Sequence, residues 1–419
     1  MVLAKFQNRL ILELMHLPTI HRFCLRACFK MVAAEVRRRT AAHLVQEIRL
    51  LTSAATVPVG ILKHALKGLW IVSLILAVVS VQAASSPDEL LLKDYRPRSI
   101  YQIPETRVQK ARYPTIDVHS HDYGRSDADL KRWVETMDTV GIERTIILSG
   151  ATGRKFDEIL ARYGKYPGRF EVWCGIDYTG FRDPGFGPAA TTELERCFRA
   201  GASGVGELSD KGRGLGATSN VLGMHIDDPR MDPILQKCAE LKMPVNIHVG
   251  EDRWMYEPMD KTNDGLMNAW KWRVGTGPGI LGHDEVVDTL EAAVKKHSGT
   301  LFVACHLANC CSDLNRLGLM LDRYPNLHAD IGARFSELSP IPRFVKQFFT
   351  RYQDRILYGT DMDPVPEMYW ETFRLLETAD EHFYLVQFRN YHWPMYAFDL
   401  PDEVLKKIYR DNALRVFKK

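Results

Sequence analysis

From Tyr113 onward, short apolar runs alternate with amphipathic stretches. The runs predict eight strands: Tyr113–Val118, Arg144–Leu148, Phe170–Ile176, Ala202–Leu208, Pro244–Val249, Thr300–Cys305, Asn326–Ile331 and Arg355–Gly359. Helical spacing fills the gaps, as with Leu130, Trp133, Val134 and Met137, or over Asp284–His297 and Ser312–Tyr324. Strands alternating with helices imply a parallel sheet. Eight such units over about 250 residues fit a (β/α)8 TIM barrel better than a doubly wound sheet. No Gly-x-Gly-x-x-Gly follows the first strand, which counts against a dinucleotide fold.

Upstream the pattern changes. Leu69–Val81 is thirteen uncharged residues, preceded by Lys63 and Lys67, and Val81-Gln82-Ala83 puts small residues at the −3 and −1 places of a cleavage site. This is the layout of a secretory signal peptide, and it is short for a membrane span, which needs about 20 apolar residues. An uncleaved anchor through 69–81 is the competing reading. The expected organisation is a basic leader (1–67), an export or anchor segment (68–84), a Pro-containing linker or arm (85–112) and the barrel (113–419). A signal peptide belongs at a true N-terminus, so translation is expected to start near residue 60, and the protein to be exported, periplasmic or extracellular.

Charge sharpens this division. Residues 1–67 hold 11 Lys/Arg against 3 Asp/Glu, a net of +8, and the remainder 44 against 49, a net of −5. A mildly acidic barrel gives no case for nucleic acid as a partner. The eight cysteines form no Cys-x-x-Cys pair, so a zinc ribbon or thioredoxin-type site is not expected.

Chemistry in such barrels sits at the C-terminal strand ends. The first strand runs into His119 and His121, which at i and i+2 can present two imidazoles to one point. The fourth ends in Gly206-Glu207, the fifth carries His248, the sixth ends in His306 and the eighth in Asp361. Polar groups at the mouths of apolar strands are costly to bury without partners, and a structural explanation for the whole set is hard to sustain.

Together, Asp117-Val118-His119-Ser120-His121, Val245-Asn246-Ile247-His248, Ala304-Cys305-His306 and Leu357-Tyr358-Gly359-Thr360-Asp361, with the ending Asp411–Phe417, resemble the amidohydrolase superfamily. More narrowly they resemble the group that includes aminocarboxymuconate-semialdehyde decarboxylase. The resemblance covers about residues 113–417. It implies that His119, His121, His248 and Asp361 bind a divalent metal, zinc first. His306 would touch the nucleophilic water or the substrate, and Asp361 would relay its proton. Glu207 departs from the simplest single-metal pattern. Either it bridges two metals, with His248 and His306 on the second, or it pairs with an arginine or binds substrate.

The long loop Glu251–Gly282 carries Arg253, Trp254, Tyr256, Trp270, Trp272 and Arg273. Aromatics with arginines suit a ring or sugar-like substrate bearing an acid, and Arg253 and Trp254 are expected to touch it. Packing against the barrel or a second subunit, in a homo-oligomer, is the equal alternative. Asp330 and Arg334 follow the seventh strand, to contact substrate or to form an ion pair. The main expectation is a metal-dependent hydrolase of an amide, lactone or ester. Its rivals are a non-oxidative decarboxylase of an aromatic or unsaturated acid, a TatD-like phosphodiesterase and a non-catalytic barrel.

Overall fold

The computed structural model describes residues 87–216, 222–275, 277–385 and 391–418. The chain divides into Met1–Glu89 and Leu90–Lys419. The basic leader and the segment expected to direct export or anchoring fall outside the described residues. Among the described residues no helix is long and apolar enough to cross a membrane.

All eight expected strands form: β1 (Thr115–Ser120), β2 (Ile142–Leu148), β3 (Phe170–Trp173), β4 (Val205–Asp210), β5 (Val245–Val249), β6 (Phe302–Ala304), β7 (Leu327–Asp330) and β8 (Ile356–Leu357). Each is followed by a helix: α1 (Asp127–Val140), α2 (Gly153–Tyr163), α3 (Phe186–Ala200), α4 (Asp232–Glu240), α5 (His283–Lys296), α6 (Leu314–Arg323), α7 (Pro342–Arg351) and α8 (Pro366–Glu377). The strands pair in parallel as β1-β2-β3 and β4-β5-β6-β7-β8.

Backbone hydrogen bonds join the two sheets at both seams. Cys174 N–H donates to Gly204 O at 3.0 Å and Gly206 N–H to Cys174 O at 2.8 Å; across the other seam Val118 N–H donates to Tyr358 O at 2.9 Å. The ring is therefore closed, as a (β/α)8 barrel requires.

Local chemistry explains the boundaries. α1 starts on Ser126, whose hydroxyl accepts from Asp129 N–H while the Asp129 carboxylate accepts from Ser126 N–H, a reciprocal cap. It stops at Gly141, whose φ of +88° suits a residue without Cβ. Its buried face is Leu130, Trp133, Met137 and Val140. Strand residues alternate between two apolar clusters. Ile116, Val118, Ile146, Leu148, Trp173, Val303 and Leu357 pack with Ala413 and the partly buried Phe417 of the C-terminal segment. Their neighbours Ile147, Val172, Ala304 and Ile356 join the larger cluster that holds the helices.

From Leu90 on, the stretch expected as a linker or arm belongs to the same unit as the barrel. Thr106 N–H and Oγ1–H both donate to Asp380 at 2.7 Å, and Arg112 N–H donates to Glu377 at 3.0 Å.

Candidate metal centre

β1 is buried along its whole length, and its pairing with β2 shifts register between Asp117 and Ser120. Such irregularities re-aim side chains near strand ends. His119 and His121 emerge with ring centroids 5.4 Å apart. The buried Asp117 fastens this end to the loop after β8. Its Oδ1 accepts Thr360 N–H at 3.0 Å and its Oδ2 accepts Thr360 Oγ1–H at 2.7 Å. His119 O accepts Asp361 N–H at 2.8 Å. Gly359 lies against this junction, where a Cβ would meet that of His119 at 2.7 Å.

After β6 the chain makes a left-handed turn. His306, Leu307, Ala308 and Asn309 all have φ between 54° and 60°. Successive non-glycine residues in that region are strained by about 1–2 kcal/mol each and persist only where surroundings hold them. Here Asn309 Nδ2–H donates to Val249 O at 3.0 Å and its Oδ1 accepts Arg334 Nε–H at 3.0 Å. The turn delivers the His306 ring to within 4.9 Å of the His119 ring and 4.6 Å of the His248 ring.

Four imidazoles and two carboxylates meet there. Glu207 Oε2 lies 3.5 Å from His121 Nε2, while its Oε1 lies 2.9 Å from His248 Nδ1 and 3.4 Å from His306 Nε2. Asp361 Oδ1 lies 2.8 Å from His121 Nε2 and 3.6 Å from His119 Nε2, and its Oδ2 3.6 Å from His306 Nε2. Donor atoms of His119, His121 and Glu207 converge within 4.8 Å, as do those of Glu207, His248 and His306. Glu207 belongs to both sets. His119, Cys305 and His306 form a third such group.

In each imidazole the other ring nitrogen is already engaged. His119 Nδ1 lies 3.0 Å from Asp330 Oδ2. His121 Nδ1 donates to Leu148 O at 3.1 Å, His306 Nδ1 to Gly332 O at 2.7 Å and His248 Nε2 to Gly250 O at 2.7 Å. Carbonyls can only accept, so three of these nitrogens carry a proton, and the opposite nitrogen of each ring is turned toward the carboxylates of Glu207 and Asp361. Outer hydrogen bonds of this kind orient the imidazoles of metal sites. His119 Nε2 is buried and has no hydrogen-bond partner, a costly state that a cation would relieve. The donor set fits a divalent metal.

Electrostatics agree. Burial pushes the His119 imidazole down, but Asp330 and Asp361 beside it overcome this and raise it to about 10. Burial pushes Asp361 up, and the imidazoles of His119, His121 and His306 more than reverse that, holding it below the usual carboxylate range. Glu207, desolvated yet facing His248 and His306, is likewise held well below it. Burial and the Arg334 guanidinium lower His306.

A proton and a bound metal would therefore compete for His119. A raised folded pKa stabilises the metal-free protein fully below about 6.5, and that stabilisation is lost as pH rises through about 10. Metal binding at pH 8 is expected to release protons, and affinity to fall as pH drops from 9 to 6. Calorimetric titration in two buffers of different ionisation enthalpy reads the proton count directly. A buffer-independent heat would contradict this.

A cavity of about 400 Å³ opens on His248, His306 and Asp361, walled by Tyr123, Lys211, Glu251, Asn268, Trp272, Arg334 and Tyr391. Of the three residues expected to touch substrate, only Arg334 lines it, buried between Asp252 (3.0 Å), Glu251 (3.6 Å) and Glu337 (3.7 Å). The expectation for Arg253 and Trp254 needs correcting. Arg253 Nη2 pairs with Asp284 at 2.6 Å, and Trp254 packs on Trp393 with ring centroids 5.9 Å apart; neither lines the cavity. The single helical turn Arg253–Met255 buries Met255 and leaves the other two half-buried.

Lys211, Asn268, Tyr123 and Tyr391 were not expected at this mouth. Lys211 pairs with Glu251, with its Nζ 5.4 Å from the Trp272 ring. Tyr123 could have been inferred from its place two residues beyond His121. Nothing local signals Tyr391, whose hydroxyl bonds Glu337 and Asn268.

The profile of the amidohydrolase family matches residues 109–419. The chain belongs to the amidohydrolase family. Members are metal-dependent enzymes, and this amidohydrolase is one of them. No curated protein matches it. Among solved structures it is similar to 2,6-dihydroxybenzoate decarboxylase from Rhizobium, at 18% identity and a TM-score of 0.46 over 73% of this chain and 99% of that one. It is similar to 5-carboxyvanillate decarboxylase from Novosphingobium aromaticivorans, solved with manganese, at 17% and 0.47 over 75% and 100%. It is also similar to a probable 2-pyrone-4,6-dicarboxylic acid hydrolase from Acinetobacter baumannii, at 13% and 0.44 over 73% and 100%.

Proposed function

We propose that this amidohydrolase hydrolyses an amide, lactone or ester bond of a small organic substrate, and that its two imidazole groups, with Glu207 between them, would hold two divalent cations. One observation carries the reading. The two oxygens of Glu207 face different imidazoles, Oε2 towards His121 and Oε1 towards His248 and His306. His119, His121 and Asp361 would hold one cation, and His248 and His306 the other. Zinc suits an imidazole-rich set with carboxylates. Bound cations supply Lewis acidity towards the scissile carbonyl and the attacking water.

The chain's own groups do the rest. Asp361, kept ionised by its imidazoles, is the base that takes the proton of the attacking water and returns it to the leaving group. Asp330 fixes the ring of His119. Tyr123, Trp272 and Tyr391 supply flat walls for an acyl or aryl group, and Lys211 the ammonium beside them. That same wall favours a second reading, decarboxylation of an aromatic acid with the same ligands. It is the activity of the Rhizobium and Novosphingobium enzymes.

Zinc- and manganese-loaded protein offered N-acyl amides, lactones, esters and hydroxybenzoates separates the two. Hydrolysis products without CO2 are expected. CO2 released from a hydroxybenzoate, with no hydrolysis of any other class, would transfer the assignment to the lyase.

A further inference from the structure

Six cysteines lie among the described residues, all buried and none in a disulfide. Five of them, Cys174, Cys197, Cys238, Cys310 and Cys311, belong to the apolar cluster that holds the helices. Cys305 belongs to neither apolar cluster. Its place after β6 explains why. Ala304 packs with the helices and Val303 inside the barrel, so Cys305, two residues beyond Val303, turns inward at the mouth. There its Sγ lies 3.5 Å from Glu207 Oε1, the oxygen that also stands 3.4 Å from His306 Nε2 and 2.9 Å from His248 Nδ1. Tetrahedral ligands at about 2.0 Å for nitrogen or oxygen and about 2.3 Å for sulfur stand roughly 3.3–3.6 Å from one another. The sulfur and the His306 nitrogen keep that spacing from Glu207, and His248 stands somewhat closer.

A thiol beside a carboxylate is by itself only a hydrogen bond. A second observation points to a ligand. His119 Nε2 is buried without a hydrogen-bond partner, its other nitrogen being held by Asp330, and His119, Cys305 and His306 bring donor atoms within 4.8 Å of one another. Consecutive strand residues point to opposite faces, so Cys305 and His306 could not ordinarily serve one ion. The left-handed turn that begins with a φ of 60° at His306 puts both donors on one side. Cys305 is as deeply buried as His119, and a cation seated among the donors would meet both from within, reaching the cavity through His248, His306 and Asp361. We propose that Cys305 is a thiolate ligand of this centre, on the side of His306 and Glu207. The inference rests on the metal centre proposed above. On binding, the S–H bond breaks, sulfur gives its electron pair to the cation and the proton leaves to the buffer. A soft thiolate gives the centre a stronger preference for zinc over manganese than imidazoles and carboxylates alone would give.

Cobalt(II) added to the metal-free full chain tests it, because thiolate bound to cobalt gives an intense near-ultraviolet charge-transfer band that imidazole and carboxylate ligands do not. Wild type is expected to show this band together with the visible bands of bound cobalt. Cys305→Ser should keep the visible bands and lose the charge-transfer band, although the other seven of the eight cysteines remain. In competition, wild type should prefer zinc to manganese. Cys305→Ser should weaken zinc by more than about tenfold, the lower end for losing a group that only orients a ligand, and manganese by less. Visible bands without the charge-transfer band in wild type, a result that needs no variant, would remove Cys305 from the centre and leave the metal reading standing. A charge-transfer band surviving Cys305→Ser would overturn the assignment as well. No cobalt bound would overturn both the thiolate and the metal centre. A band that Cys305→Ser abolishes, with no hydrolysis of any substrate by the loaded enzyme, would keep the thiolate and remove the hydrolase reading.

Discussion

Glu207→Gln is expected to lower the metal content from two ions per chain to one and to cut turnover by about a hundredfold to a thousandfold, the range for removing one electrostatic contact at a reacting centre. The substitution conserves shape and removes only the charge. Glu207 belongs to both the His119/His121 and the His248/His306 groups, so under the two-cation proposal a neutral amide would leave one of them without this anionic partner. Elemental analysis of wild type and variant gives the stoichiometry, and initial rates on the best hydrolase substrate give the kinetic loss. One ion per chain in both proteins would sink the two-cation arrangement. The centre would then be mononuclear, with Glu207 left as a neighbour of His248, and the decarboxylase reading would gain.

Arg334→Met carries the largest expected loss of stability. The guanidinium is buried among Asp252, Glu251 and Glu337 and also donates to Asn309. Removing one partner from a buried ion cluster costs about 3–5 kcal/mol, because the charges left behind have neither water nor a counter-ion. The deficit should depend on pH. Burial already raises Asp252 to about 8, and it raises Glu337 as well, against the pull of Arg334. Without that pull both rise further. A carboxyl with a raised folded pKa stabilises the fold while protonated and loses that contribution as pH rises through the folded value. The variant should therefore lie closer to wild type at pH 6 than at pH 9. Urea unfolding at the two pH values measures both the size and the trend. A loss below about 1 kcal/mol, within the range of an exposed pair, would contradict the burial argument. Asn309 ties this cluster to the left-handed turn, so the same variant should also loosen His306.

The strand ends were legible because of a simple geometric rule. Strands close into a barrel with their C-terminal ends on one face, so His119, Glu207, His248, His306 and Asp361 had to meet there wherever they stood in the chain. The spacing of His119 and His121 could be read because a strand repeats every two residues. Loops follow no such period. Arg253 and Trp254 were expected at the mouth because of their type, and the structure engages them with Asp284 and Trp393 instead. Arg334 was left between substrate and ion pair, and the structure shows the ion pairs. Asp330 was recognised as a mouth residue, yet its place at the outer nitrogen of His119 depends on how β7 lies beside β1.

The amino-acid sequence by itself determined the strand–helix alternation, the barrel and the polar residues at its mouth, because these follow from periodicity and from the cost of burying polar groups at strand ends. Only the tertiary structure decided which nitrogen of each histidine faces the centre, that Glu207 stands between two groups of imidazoles, and which loop side chains wall the cavity. Those outcomes turn on contacts between residues as far apart as Asn268 and Tyr391, whose positions no local pattern encodes.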